Sequence, residues 1–108
     1  MKETSEMIDH CVNTCRQCAD ECTKCADDCK GNPEMETCIR LCNECAVICR
    51  QCADSCEKDS ANKMQSMKAC IDACNACADE CEKHNNPTCK SCAETCRSCA
   101  EECEKVVA

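Results

Sequence analysis

The sequence predicts an all-α protein: an antiparallel up-down-up-down four-helix bundle with a cysteine-lined core. Three observations lead to this prediction. Cysteine recurs at alternating spacings of three and four residues, a heptad pattern that places it on one face of a helix. The recurrences form four separate groups within 108 residues. Short segments containing Asn, Pro or Gly separate most of the groups, and short connections make successive helices antiparallel.

The four cysteine groups predict four helices, near residues 4–30, 33–57, 61–84 and 87–105. Together they form one domain of residues 1–108. In chain order the groups are Cys11, Cys15, Cys18, Cys22, Cys25 and Cys29; Cys38, Cys42, Cys45, Cys49, Cys52 and Cys56; Cys70, Cys74, Cys77 and Cys81; and Cys89, Cys92, Cys96, Cys99 and Cys103. The heptad register turns every one of these thiols towards the bundle interior.

The segments between the groups carry signals for helix ends. GNPE (31–34) supplies a glycine stop for the first helix and an Asn–Pro start for the second. Asp59 or Ser60 is expected to cap the third helix. NNP (85–87) repeats the Asn–Pro start for the fourth helix.

Composition makes this core unusual. The chain has no aromatic residue and 21 cysteines, so thiols stand where a conventional core would have large apolar side chains. Its net charge of -8, with no basic patch, argues against nucleic-acid binding. No apolar run approaches the length of a membrane span.

The first ten residues contain no apolar signal segment, so the cytosol is the expected location. Thiols stay reduced there, and a dense cysteine pattern then indicates metal binding or catalysis before disulfides. No single pair is marked as an activated redox couple, and we expect no enzymatic activity. Iron–sulfur clusters need closely spaced cysteines on a loop rather than along rods.

Cu(I) suits a continuous stripe of thiols best. It is a soft ion that selects thiolate sulfur and accepts roughly two or three ligands. Cysteines three or four residues apart share a helix face, so their sulfurs can converge on one ion. The sequence therefore predicts storage of multiple Cu(I) ions by all 21 cysteines. The alternative is a zinc-binding or purely structural cysteine-rich bundle, since zinc also binds thiolates.

The stripes continue into other residues at the two ends of the bundle. Ile8, Met67 and Val106 share one end with Cys56, where they form either an apolar plug or a thioether entry path for copper. At the other end His84 falls on a core-facing position. It is predicted either to bind or gate copper, or to cap its helix.

Three stretches carry a resemblance to a known family: CIRLCNECAVIC (38–49), CIDACNACADECEKH (70–84) and CKSCAETCRSCAEEC (89–103). With them the chain resembles the cytosolic bacterial copper storage proteins, which are cysteine-rich four-helix bundles. The resemblance implies a homotetramer whose bundles bind many Cu(I) ions and stay folded without metal. A copper chaperone or a small thiol is the expected partner for copper transfer. At the start of the third helix, Lys63 and Met67 occupy two positions at which the family has further cysteines.

Overall fold

The computed structural model describes the backbone of residues 2–107 and the side chains of residues 6–107. Four helices account for most of this stretch: α1 Lys2–Asp28, α2 Glu36–Glu57, α3 Lys63–Cys81 and α4 Pro87–Val107. Residues 2–107 contain no strand. The all-α class predicted from the cysteine spacing is confirmed.

The connection between α1 and α2 follows the predicted signals with one difference. Gly31 has φ +84°, the left-handed conformation that ends a helix and that glycine adopts without strain. The Asn32 side chain accepts a hydrogen bond from the Glu34 amide at 3.1 Å. It caps a short 3₁₀ turn, Pro33–Met35, so α2 begins at Glu36 and not at residue 33.

The predicted cap of the third helix is wrong. α3 begins at Lys63 and is preceded by Asn62, which makes no side-chain capping bond. Asp59 instead has φ +52° and forms an ion pair with Lys63. Ser60 accepts a long hydrogen bond of 3.4 Å from the Asn62 amide. The polar side chains therefore bond within the turn that precedes α3 and do not cap the helix.

The last residues of the third predicted helix form a tighter turn than an α-helix. The amide of His84 donates to the carbonyl of Cys81 at 3.2 Å, three residues back, so α3 ends at Cys81 and not at residue 84. Asn86 then caps α4 through its Oδ1, which accepts from the Thr88 amide at 2.8 Å. The predicted Asn–Pro start of the fourth helix is confirmed.

The helices form a ring in which α1 and α3 each pack against α2 and α4. The rod is 47 Å long and about 18 Å wide. Surface ion pairs join neighbouring helices, for example Arg97 on α4 to Asp79 on α3 at 2.6 Å. Exposed pairs of this kind contribute little, typically below about 1 kcal/mol. The fold therefore depends mainly on its interior.

That interior consists almost entirely of cysteine and alanine. All 21 cysteines are buried, and so are the alanines that follow them in the repeated Cys–Ala pairs. The largest fully buried side chain is Met67. Small alanines beside the cysteine stripe let the helices approach closely. Along residues 2–107, no helix combines the length and apolar character that crossing a bilayer requires.

Candidate metal centre

The thiols of all four helices meet along the bundle axis. Each of the 21 cysteines is free and buried. The heptad register explains this placement, because a repeat of alternating three- and four-residue steps keeps one stripe of each helix against its partners. The predicted orientation of the cysteine stripes is confirmed.

Neighbouring antiparallel helices bring sulfurs into contact at both ends of the core. On α1 and α4, the Sγ atoms of Cys11 and Cys103 lie 3.2 Å apart, and those of Cys25 and Cys89 lie 3.6 Å apart. The first pair joins the start of α1 to the end of α4, and the second joins the end of α1 to the start of α4. Sulfur contacts therefore run along most of the length of the rod.

Sulfurs also meet across the diagonals of the bundle. Cys18 on α1 and Cys74 on α3 have Sγ atoms 3.8 Å apart, although their helices are not neighbours in the ring. Cys42 on α2 and Cys92 on α4 lie 4.0 Å apart. No apolar layer separates opposite sides, so the thiols form a single sulfur interior.

Thiols four residues apart on one helix are close as well. The Sγ atoms of Cys45 and Cys49 lie 3.7 Å apart, and those of Cys70 and Cys74 lie 3.9 Å apart. This convergence is what the sequence spacing predicted. A metal ion can thus be bound by one helix or by several.

Many groups of four sulfurs are compact enough to surround one metal ion. Within each group the Sγ atoms all lie within 4.8 Å of one another. Such groups include Cys11, Cys15, Cys52 and Cys103; Cys15, Cys70, Cys99 and Cys103; Cys18, Cys45, Cys74 and Cys96; Cys18, Cys49, Cys74 and Cys99; and Cys22, Cys45, Cys77 and Cys96. Most of these cysteines belong to two groups. The arrangement is therefore a continuous ladder and not a row of separate sites.

Burial favours the protonated form of thiols near the two ends of the core in the metal-free protein. Burial is the main cause that raises the pKa of Cys38, Cys56 and Cys89 above the ordinary value of 9.0, and nearby thiols add to it. The pKa of Cys56 rises to about 12. An uncharged thiol core avoids the cost of buried, unpaired charge. Metal binding must then displace these protons, so copper affinity should rise with pH.

The raised pKa values predict that alkaline pH destabilises the metal-free protein. A thiol whose folded pKa exceeds its unfolded value contributes stability that is complete below pH 9.0 and is lost as pH rises through about 12 for Cys56. The loss is about 1.4 kcal/mol per pH unit for each thiol that is protonated only in the folded state. Urea unfolding of reduced protein at about pH 7 and about pH 11 measures it.

Copper-loaded protein is the control for this measurement, because its thiols have already lost their protons. It should show a smaller fall in unfolding free energy than the metal-free protein. If the unfolding free energy falls equally in the metal-free and copper-loaded forms, the alkaline destabilisation comes from surface lysines and not from the thiols.

His84 lies just beyond the end of α3, and its side chain is 21% exposed. Its Nε2 is 3.0 Å from Oε2 of Glu80, one helical turn earlier. This hydrogen bond holds the pKa of the Glu80 carboxyl below its ordinary value. The structure thus brings the cysteines together and places a carboxylate, Glu80, against His84. Sequence reasoning missed Glu80, although its four-residue spacing from His84 could have indicated the pair.

The comparisons with known proteins agree with the sulfur core. A family model described as the copper storage protein matches residues 4–108. The chain belongs to the copper storage protein family. The resemblance found in the cysteine stretches is thereby confirmed. A comparison with curated proteins gives no match.

Solved structures of family members are closely similar. A cytosolic copper storage protein from Streptomyces lividans, with five coppers, has a TM-score of 0.94 at 32% identity, covering 99% of this chain and 97% of that one. The Cu(I)-bound copper storage protein BsCsp3 has a TM-score of 0.90 at 33% identity, covering 94% and 99%. Metal-free copper storage protein 3 from Bacillus subtilis has a TM-score of 0.88 at 35% identity, covering 93% and 98%.

Apolar side chains pack at the end of the bundle opposite His84. Met67 is fully buried, and Ile8 and Val106 pack against the core. Ile8 and Cys56 line the same surface recess. Met64 is 40% exposed. Apolar side chains thus cover part of this end, while Asp9, Asn13 and Glu57 share the recess with Cys56.

Proposed function

We propose that this protein stores and buffers Cu(I) on the thiolates of its core. The observation that carries the proposal is that 21 buried thiols from four helices share one core, in which groups of four sulfurs overlap as a continuous ladder. Anaerobic titration of the reduced protein with Cu(I) tests it by counting the ions bound per chain. We assign the whole of residues 1–108 to a single storage domain.

Ligand chemistry favours Cu(I) as the stored ion. Soft thiolates select it, and the sulfur spacings of 3.2–4.0 Å between contacting thiols let each sulfur bridge two ions. Charge also supports this choice, because one thiolate and one Cu(I) ion together are neutral. A filled core is then uncharged, which a fully buried site needs.

A store made entirely of separate zinc sites is the second candidate. It is favoured by the compact groups of four sulfurs, since zinc takes four thiolates in a tetrahedron. Each such site would carry two net negative charges in the core. The groups also share cysteines, so filling one removes ligands from the next. Zinc therefore uses the ladder less completely than Cu(I).

We assign all 21 cysteines as copper ligands and His84 as a residue of the copper entrance. His84 follows the last core thiol of α3 by three residues, and its amide donates to the carbonyl of the buried Cys81. At the opposite end Met67 is fully buried, and Ile8 and Val106 pack against the core. Copper therefore enters at the His84 end.

His84→Ala should slow copper loading several-fold while leaving capacity nearly unchanged. One potential ligand is lost at the entrance, but the thiol core remains intact. Stopped-flow mixing with a Cu(I) complex measures the rate, and titration measures the capacity.

His10→Ala is the matched control for that experiment. His10 is at the opposite end of the bundle, and its side chain is 65% exposed. Its removal should change neither quantity. If the two variants load at the same rate as the parent protein, the entrance role of His84 is wrong.

Further features of the family extend the proposal. We infer a cytosolic, non-enzymatic homotetramer that exchanges copper with a chaperone or a small thiol. The Streptomyces lividans relative is described as cytosolic. An apolar groove between α2 and α3, lined by Leu41, Ile48 and Ala73, is available for subunit contact. Val47, 53% exposed, adds to the apolar surface of α2.

A further inference from the structure

In one group of four sulfurs, four of the six sulfur–sulfur distances lie between 3.6 and 3.9 Å. The Sγ atom of Cys15 lies 3.8 Å from Cys70, 3.6 Å from Cys99 and 3.9 Å from Cys103. Cys70 and Cys99 lie 3.7 Å apart, and all four sulfurs lie within 4.8 Å of one another. We call this group the Cys15 cage. Its four residues are fully buried and come from α1, α3 and α4.

These edges match the dimensions of a tetrathiolate site for a divalent ion. A zinc–sulfur bond of about 2.3 Å in tetrahedral geometry requires sulfurs about 3.8 Å apart. Cu(I), with its preference for fewer ligands, does not need a closed tetrahedron. A closed group of four sulfurs at these distances is therefore a feature that Cu(I) ligation does not require.

We propose that the Cys15 cage is a binding site for Zn²⁺, separate in chemistry from the Cu(I) store. Helix packing holds the four sulfurs close to the spacing that a tetrahedral metal site needs before the metal arrives. This preorganisation reduces the entropic cost of binding. The neighbouring group of Cys11, Cys15, Cys52 and Cys103 shares two of these sulfurs, so occupying the cage excludes an ion there.

The charge balance sets when the cage is filled. Zn²⁺ binds four thiolates after four protons leave to solvent, and the site then carries two net negative charges. Burying that charge is costly, whereas Cu(I) neutralises one thiolate per ion. Cu(I) therefore displaces Zn²⁺, and the cage holds Zn²⁺ only when copper is scarce.

Cobalt provides a visible probe of this site. One equivalent of Co²⁺ added anaerobically to reduced, metal-free protein should give the ligand-field absorption of a tetrahedral tetrathiolate complex. Zn²⁺ should then remove that absorption, because it takes the same ligands and has a closed shell. Excess Cu(I) should remove it as well.

Two variants locate the site. Cys70→Ser removes one corner of the cage and should lower Co²⁺ affinity roughly tenfold or more. Cys29→Ser is the matched control, because Cys29 lies near Cys89 at the other end of the core, and it should bind Co²⁺ like the parent. Circular dichroism checks that both variants are folded. If Cys70→Ser does not fold, Cys99→Ser removes another corner of the cage and repeats the test.

Two results would overturn the proposal: absence of the tetrahedral spectrum in the parent protein, or equal Co²⁺ affinity in the parent and the cage variants. The Cu(I) capacity of the same samples shows whether copper storage also fails or whether only the zinc site does. Normal copper uptake without Co²⁺ binding would reject the zinc site alone.

Discussion

Anaerobic Cu(I) titration of the reduced protein should reach a plateau near one ion per thiol, about 20 ions per chain. Core sulfurs have close sulfur neighbours on other helices and in places on their own helix, as Cys45 does with Cys74 and Cys49 at 3.7 Å. A thiolate can then bridge two coppers while each copper takes two thiolates. Bridging of this kind makes ion and ligand numbers equal.

A pair of double variants makes the titration specific. Cys45→Ser with Cys96→Ser removes two core thiols and should lower the plateau by about two ions, given one ion per thiol. Ser55→Ala with Ser66→Ala removes a hydroxyl pair, with oxygens 3.2 Å apart, that joins α2 to α3 away from the sulfurs. That variant should keep the full capacity.

Saturation at about five ions or fewer would contradict copper storage by bridging thiolates, because it matches four thiolates for each ion. The second candidate, separate tetrahedral zinc-type sites, would then be supported. Chelator competition on the loaded protein checks that the counted ions are bound to the core.

Copper loading should raise the melting temperature by tens of degrees. The metal-free core has Met67 as its largest fully buried side chain, so its apolar stabilisation is small for a bundle of this length. A ligand at a thousand times its dissociation constant stabilises the fold by about 4 kcal/mol for each site. In a domain of this size each kcal/mol raises the melting temperature by roughly 4–8 °C.

Thermal unfolding followed by circular dichroism measures this shift on matched metal-free and loaded samples. Partial loading should give intermediate values, and removal of copper with a strong chelator should restore the original melting temperature. Equal melting temperatures at all loadings would mean that copper does not bind the folded state preferentially.

Periodicity made the helices and the buried stripe predictable. Alternating steps of three and four residues have only one compact solution, a helix with one inward face, because side-chain direction along a helix is fixed by local geometry. All 21 cysteines are therefore buried, at the positions that the heptad register predicts. Soft-metal chemistry followed from the residue type alone.

Helix ends were less predictable, since several polar residues compete within each turn. Asp59 and Ser60 are both good caps, yet the chain uses them inside the turn, and α3 starts at Lys63. The end of α3 illustrates the same limit, because the helix stops at Cys81 and leaves His84 in a tighter turn. Small energy differences between neighbouring backbone conformations decide such details.

The amino-acid sequence by itself determined that four helices would turn their thiols inward and that a soft ion would suit them. Only the tertiary structure decided which sulfurs of different helices meet. Cys18 and Cys74 are 56 residues apart in the chain and 3.8 Å apart at their Sγ atoms. Their distance depends on the rotation and axial offset of helices that cross the bundle diagonally. Those two quantities are set by packing between helices, and no local pattern encodes them.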